Sequence, residues 1–229
     1  MRRLISGLRP LIVLVLLILP QGNLWATTID FEGLAFTSIT SGGDTVPVAG
    51  SVLANEFMGV GVLFGKAGVS AGVAVVRDTL APSSGLNSVG GLNAAGVLPG
   101  TGSGALVGDI YFSFVVPGST TAGTTAGVSF TIGDGGGDLD MFQIRSYDLG
   151  GLLIDTQNVS GNSRFLVTIG VAGVNRVEVD FSGDFGYSLD DLNFNAPEAA
   201  VPEPGTLGLL GLGLLLAARM GRARMDKRG

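Results

Sequence analysis

The sequence predicts an all-β domain, a sandwich or barrel, set between two apolar chain ends. Three observations carry that expectation. Glycine supplies 39 of 229 residues and falls mostly between short apolar or alternating runs, the punctuation of many short strands. The run Arg176-Val177-Glu178-Val179-Asp180-Phe181 alternates with period two, which turns Val177, Val179 and Phe181 inward and leaves three charges on a wet face. Between the two ends, no window keeps a 3.6-residue apolar stripe over three turns, so helices there are few and short.

The chain opens with Arg2, Arg3 and Arg9, a nine-residue apolar core from Leu11 to Leu19, a Pro20-Gln21-Gly22-Asn23 break and Leu24-Trp25-Ala26. That order reads as a secretory signal peptide over residues 1–26, cut after Ala26. An uncleaved anchor is the alternative, but nine apolar residues are short for a stable span. The expected strands then run Thr27 to Phe31, Val60 to Phe64, Val73 to Arg77, Ala105 to Val116 and Ala126 to Ile132. Met141 to Tyr147, Leu152 to Thr156, Phe165 to Ile169, Arg176 to Phe181 and Tyr187 to Phe194 complete the set. Asp148-Leu149-Gly150-Gly151 supplies a hairpin turn, glycine giving the positive φ that primed turns need, so Asp140 to Thr156 forms one hairpin. Leu80 to Gly104, rich in Gly, Ser, Asn and Ala and bracketed by Pro82 and Pro99, reads as a long surface loop. Residues 27–196 form a single domain.

Composition narrows the chemistry. Residues 27–204 hold five basic against eighteen acidic side chains, a net charge of −13. This disfavours nucleic acid and anionic surfaces and favours cations or neutral sugars. Cysteine and histidine are absent, which removes disulfides, Ser-His-Asp catalysis, thiol nucleophiles and His-ligated zinc together. The only tryptophan is Trp25, and the tyrosines are Tyr111, Tyr147 and Tyr187. Tyr147 points outward on its strand, where it either packs on the sheet or stacks on a ligand.

The C-terminus has three parts. Val201-Pro202-Glu203-Pro204-Gly205-Thr206 begins with two prolines that fix φ and remove amide donors, so it is an extended, presented peptide. Gly205 to Ala218 is 14 residues without a charge, about 21 Å as a helix. That is short of the roughly 30 Å hydrocarbon core, so a span over 205–220 needs snorkelling or bilayer thinning. Arg219, Arg222, Arg224, Lys227 and Arg228 follow and hold the 219–229 tail inside by the positive-inside rule.

These residues in this order resemble the PEP-CTERM sorting signal, here residues 197–229, of Gram-negative bacteria that make exopolysaccharide. The resemblance implies export by the secretion translocon and an inner-membrane anchor through the C-terminal helix. It further implies recognition of Val201, Pro202, Glu203, Pro204 and Thr206 by an exosortase, then delivery to the cell surface or extracellular matrix. The tail departs from a compact Arg cluster, being interrupted by Met220, Gly221, Ala223 and Asp226.

A second resemblance rests on Thr28-Ile29-Asp30-Phe31-Glu32-Gly33, Gly59-Val60-Gly61-Val62-Leu63-Phe64 and Tyr187-Ser188-Leu189-Asp190-Asp191-Leu192-Asn193-Phe194. Together they are similar to jelly-roll modules related to carbohydrate-binding domains. It implies a jelly-roll-type β-sandwich whose first and last strands pair, bringing Glu32 toward Asp190 or Asp191. Those three acids suit calcium, which takes six to eight oxygens. Asp134, Asp138 and Asp140 make a second cluster without EF-hand spacing, for which a polar turn is the competing reading. The functional expectation is a non-catalytic structural or adhesive surface protein. A module for matrix polysaccharide is the alternative and a glycan-acting enzyme the second; no catalytic residue is nominated.

Overall fold

Alternation along the sequence becomes alternation between core and solvent along the strands. The computed structural model describes residues 26–38, 44–65, 72–77, 84–93, 95–98, 108–134, 139–181 and 187–199, together with Gly213. The expected signal peptide up to Trp25, the sorting motif and the basic tail lie outside these residues. So does the C-terminal helix, apart from Gly213, which is helical. In chain order the strands are β1 (Ala26–Ile29), β2 (Thr37–Ser38), β3 (Val52–Leu53), β4 (Val62–Phe64), β5 (Val73–Arg77), β6 (Asn87–Gly91), β7 (Ile110–Phe114) and β8 (Gly123–Thr124). They continue with β9 (Val128–Gly133), β10 (Asp140–Tyr147), β11 (Leu153–Gly161), β12 (Phe165–Ile169), β13 (Arg176–Phe181), β14 (Ser188–Asn195) and β15 (Glu198–Ala199).

Two sheets face each other in a jelly-roll-type β-sandwich. One runs β12-β9-β14-β6-β5-β2, with β1 also on β14 and β3 also on β5; the other runs β11-β10-β13-β7-β4. A separate two-stranded piece joins β15 to β8. The first strand pairs antiparallel with the last long one, Ala26 opposite Asn195 and Ile29 opposite Leu192. β6 meets the other half of β14, Leu189 opposite Val89. The pairing of β14 with β9 slips between Asp190 and Asn193, and Asp191 sits at φ 50°. The resulting kink separates the half of β14 that serves β6 from the half that serves β1.

Phenylalanine fills the space between the sheets. Phe112 of the five-stranded sheet meets Phe130 of the eight-stranded one at 6.0 Å, edge to face, and Phe114 meets Phe194 at 5.2 Å. Phe31, Phe57 and Phe64 extend this cluster at one end. Phe142, Phe165, Phe181 and Tyr187 close it at the other. Each ring taken from water contributes about 1.5–3 kcal/mol before entropy is counted, and edge-to-face geometry adds a little more. A small second cluster, Ala74, Val76, Leu92 and Leu98, forms apart from the main core.

Two expectations change. Leu80 to Gly104 is not one loop, because Asn87–Gly91 is a strand with all five residues buried, lying between β14 and β5. Its small side chains give no propensity signal; backbone pairing on both sides holds it. Gly91 and Gly108 form a bridge there, so close that a Cβ on Gly91 would lie 1.9 Å from the Gly108 carbonyl oxygen. The hairpin also runs further than Thr156, to Gly161. Its turn is as the residues require: Gly151 has φ 81° and donates its N–H to the Asp148 carbonyl, and Asp148 Oδ1 accepts the Leu152 N–H.

Candidate functional site

The outer face of the five-stranded sheet gathers the charged and aromatic groups of three adjacent strands. Register sets the rows: Arg145 of β10 stands opposite Glu178 of β13, which stands opposite Tyr111 of β7. Arg176 stands between Tyr147 and Ser113, while Gln143 faces Asp180 on one side and Asn158 on the other. Alternation with the core residues Ile110, Phe112, Ile144, Val177 and Val179 fixes all these side chains on the outside.

Glu178 was expected on the wet face; it does lie on the outer face but is only 5% exposed. Its neighbours cover it. Arg176 Nε lies 3.1 Å from Oε1 and Arg145 Nε 3.7 Å from Oε2, while the Tyr147 hydroxyl donates to Oε2 at 2.9 Å. Arg145 Nη2 also reaches Asp180 Oδ2 at 3.0 Å. The Arg176 guanidinium lies 4.1 Å above the Tyr147 ring centre, a cation–π contact that occupies one face of the ring. Tyr147 is thus half-buried and points outward as expected, already stacked within the protein. The Tyr111 hydroxyl donates to Asp109 Oδ2 at 2.9 Å.

These contacts set the ionisation. Burial pushes the Asp109 carboxyl above its ordinary value, partly opposed by the Tyr111 hydroxyl it accepts. Burial, then the Glu178 hydrogen bond, raises the Tyr147 phenol, and burial with Asp109 raises Tyr111. Both phenols are neutral donors at physiological pH. With two guanidiniums against three carboxylates, the face is nearly neutral within a strongly acidic domain. It is a preorganised array of hydrogen-bond donors and acceptors with little net charge.

The first set of predicted metal residues, Glu32, Asp190 and Asp191, lies at the junction of β1, β6 and β14. Glu32 Oε1 accepts the N–H groups of Leu86 and Asn87, both at 2.7 Å. Asp190, fully buried, accepts the Ser84 N–H at 3.0 Å on Oδ2 and the Asp191 N–H at 2.8 Å on Oδ1. Glu32 and Asp190 therefore meet the same segment, Ser84 to Asn87, each through amide donors. Gly85 passes so close that a Cβ there would lie 2.1 Å from the Glu32 carboxyl carbon. Asp191 forms the kink. Asp140, also fully buried, accepts the Asp134 N–H at 3.2 Å, which closes the turn between them, and Asp138 lies outside the described residues. Among the described residues no group of three or more acids is placed to hold a metal ion, and no helix is long and apolar enough to cross a membrane.

The polar face was missed as a unit from sequence. Its signal was the outward set of each strand, Arg145 and Tyr147 with Arg176, Glu178 and Asp180, but only the pairing of β10 with β13 places those sets side by side.

Comparison with known proteins supplies the decisive observation at the other end of the chain: residues 200–224 match the family model described as the PEP-CTERM protein-sorting motif. The chain carries an exosortase sorting signal. The motif indicates an exported protein, and the match covers Pro202-Glu203-Pro204, the apolar run and the first arginines of the tail. No curated protein matches. Three solved carbohydrate-binding modules overlap part of the chain. A xylan-binding domain of family 22 has TM-score 0.32 and 14% identity over 57% of this chain and 85% of its own. The first family 22 xylan-binding domain of Paenibacillus barcinonensis Xyn10C has TM-score 0.30 and 13% identity over 61% and 88%. The family 11 module of Clostridium thermocellum, solved with a mixed-linked tetrasaccharide, has TM-score 0.28 and 13% identity over 68% and 96%. Such partial overlap assigns no ligand here.

Proposed function

We propose that this is a non-catalytic surface or matrix protein whose ectodomain holds neutral polysaccharide on the outer face of its five-stranded sheet. One observation carries the reading: Tyr147, Arg145, Arg176 and Asp180 form a continuous, fixed array on the outer sheet face, held from beneath by the buried Glu178 and Tyr111. Sugar hydroxyls both donate and accept, so guanidinium and carboxylate in alternation serve them together, and the partly exposed Tyr147 ring adds apolar contact. The carboxylates are held by tyrosine and arginine rather than set opposite one another across a cleft, which supports binding over glycoside cleavage. Sorting by exosortase places such a domain beside the polysaccharide that it would hold.

Affinity electrophoresis of the mature protein in gels containing neutral and acidic polysaccharides tests this. Retardation by a neutral glycan that is lost in Tyr147→Ala supports the reading; free migration in all of them overturns it.

Calcium belongs to the proposal as a stabiliser at the junction of β1, β6 and β14, away from the glycan face. Its support is that Glu32 and the buried Asp190 converge on one segment in an acidic domain without disulfides. A fall in the unfolding midpoint on adding chelator supports the ion, whereas an unchanged midpoint leaves both carboxylates as acceptors of protein hydrogen bonds.

A further inference from the structure

The chain leaves the sandwich through a stem whose hold on the fold weakens step by step toward the sorting motif. At Asn195 the Thr125 hydroxyl donates to the backbone carbonyl. At the buried Pro197 the ring packs on Gly61, where a Cβ would lie 2.9 Å from Cγ and Cδ. Only a two-residue ladder follows, Glu198 opposite Thr124 and Ala199 opposite Gly123. Both residues of β15 are exposed, and an open hollow between Thr124, Gly173, Asn195 and Glu198 lies beside them. The matched motif begins at the next residue, 200.

A peptide taken up in extended form is bound through its main chain as well as its side chains. The main chain of Glu198 and Ala199 is already engaged by β8. A ladder this short, with little packed beneath it, belongs to the low-stability end of a fold and opens locally without unfolding the rest.

We propose that β15 is a shared strand: β8 and the sorting enzyme compete for residues 198–199, and processing waits on release of the stem from β8. The proposal rests on the chain being an exosortase substrate and is independent of glycan binding. Pro197 on Gly61 stays in place, so release lengthens the free tether by a few residues while leaving the core closed.

The full-length chain in its native exporting cell provides the test. Having no cysteine, it accepts one unambiguous staple, Thr124→Cys with Glu198→Cys, because directly opposed residues lie within disulfide reach. Bridge formation is checked by thiol alkylation, and conversion of precursor to processed protein is followed by pulse-chase. The bridged chain should convert several-fold more slowly than the same double-cysteine chain held reduced by dithiothreitol in the medium. Gly123→Ala should convert faster: its Cβ would lie 3.1 Å from both the Glu198 carbonyl oxygen and the Val115 carbonyl carbon, and of these two the exposed two-residue β15 is the one free to give way. Wild-type conversion of a fully bridged chain overturns the shared strand. Should Gly123→Ala fail to fold, the staple still decides. Deletion of residues 201–229 serves as the control for sorting itself: if it leaves processing unchanged, the exosortase reading fails first and the shared strand with it.

Discussion

Glu178 shows how far one side chain departs from what its position in the alternation suggests. Period two places it on the outer face, but a neighbouring row of Arg145, Tyr147 and Arg176 roofs it over. Sequence gave its side of the sheet and could not give its burial, which depends on β10 lying next to β13. Removing it leaves two guanidiniums without their shared carboxylate. Glu178→Ala should therefore lose about 2–3 kcal/mol, read as a lower denaturant midpoint. Asp109 makes a pH prediction. Its carboxyl titrates above the ordinary 3.8 in the fold, chiefly through burial, so the native state favours the protonated form. That contribution to stability is present in full below pH 3.8 and lost as pH rises through the raised value. Asp109→Asn keeps an acceptor for the Tyr111 hydroxyl and removes the charge, so its midpoint relative to wild type should be higher at pH 7 than at pH 3.5.

At the scale of elements, patterned strands were legible and unpatterned ones were not. β5, β12 and β13 fall at their expected bounds because apolar residues repeat there with period two or run continuously. β6, Asn-Ser-Val-Gly-Gly, has one large apolar side chain, Val89, and its glycines serve close approach rather than turning. The Gly91–Gly108 contact brings the backbones of the two sheets together where β6 hands over to β7. Gly91→Ala should cost about 3 kcal/mol, the upper end of overpacking penalties, because the obstructing atom is a backbone oxygen that cannot rotate away. Thermal unfolding of the variant checks this, and a midpoint equal to wild type would mean that the two sheets can part at this bridge without cost. The junction acids were half legible: the sequence located Glu32 and Asp190, and pairing of β1 with β14 brought them to one place. Their partners, the amides of Ser84 to Asn87, belong to the segment that read as loop.

At the scale of the molecule, address and cargo are separable. The sorting residues lie beyond Ala199, the last residue of the β8–β15 ladder, while every contact in the two main sheets lies before it. Glu203→Ala should leave the thermal midpoint of the mature domain unchanged and lower surface display, measured by protease shaving of intact cells; equal display would count against recognition through Pro202-Glu203-Pro204. The tyrosines carry one more consequence. Beyond Trp25 the sequence has no indole, so a protein beginning at Thr27 would emit in the ultraviolet through three phenols in unlike surroundings. Tyr187 is sealed between Phe142 and Phe181 with its hydroxyl on the Gly108 carbonyl, and Tyr111 and Tyr147 lie on the polar face. Near-ultraviolet difference dichroism between wild type and Tyr187→Phe or Tyr147→Phe can therefore separate closure of the interior, through Tyr187, from occupation of the surface, through Tyr147, with no label attached.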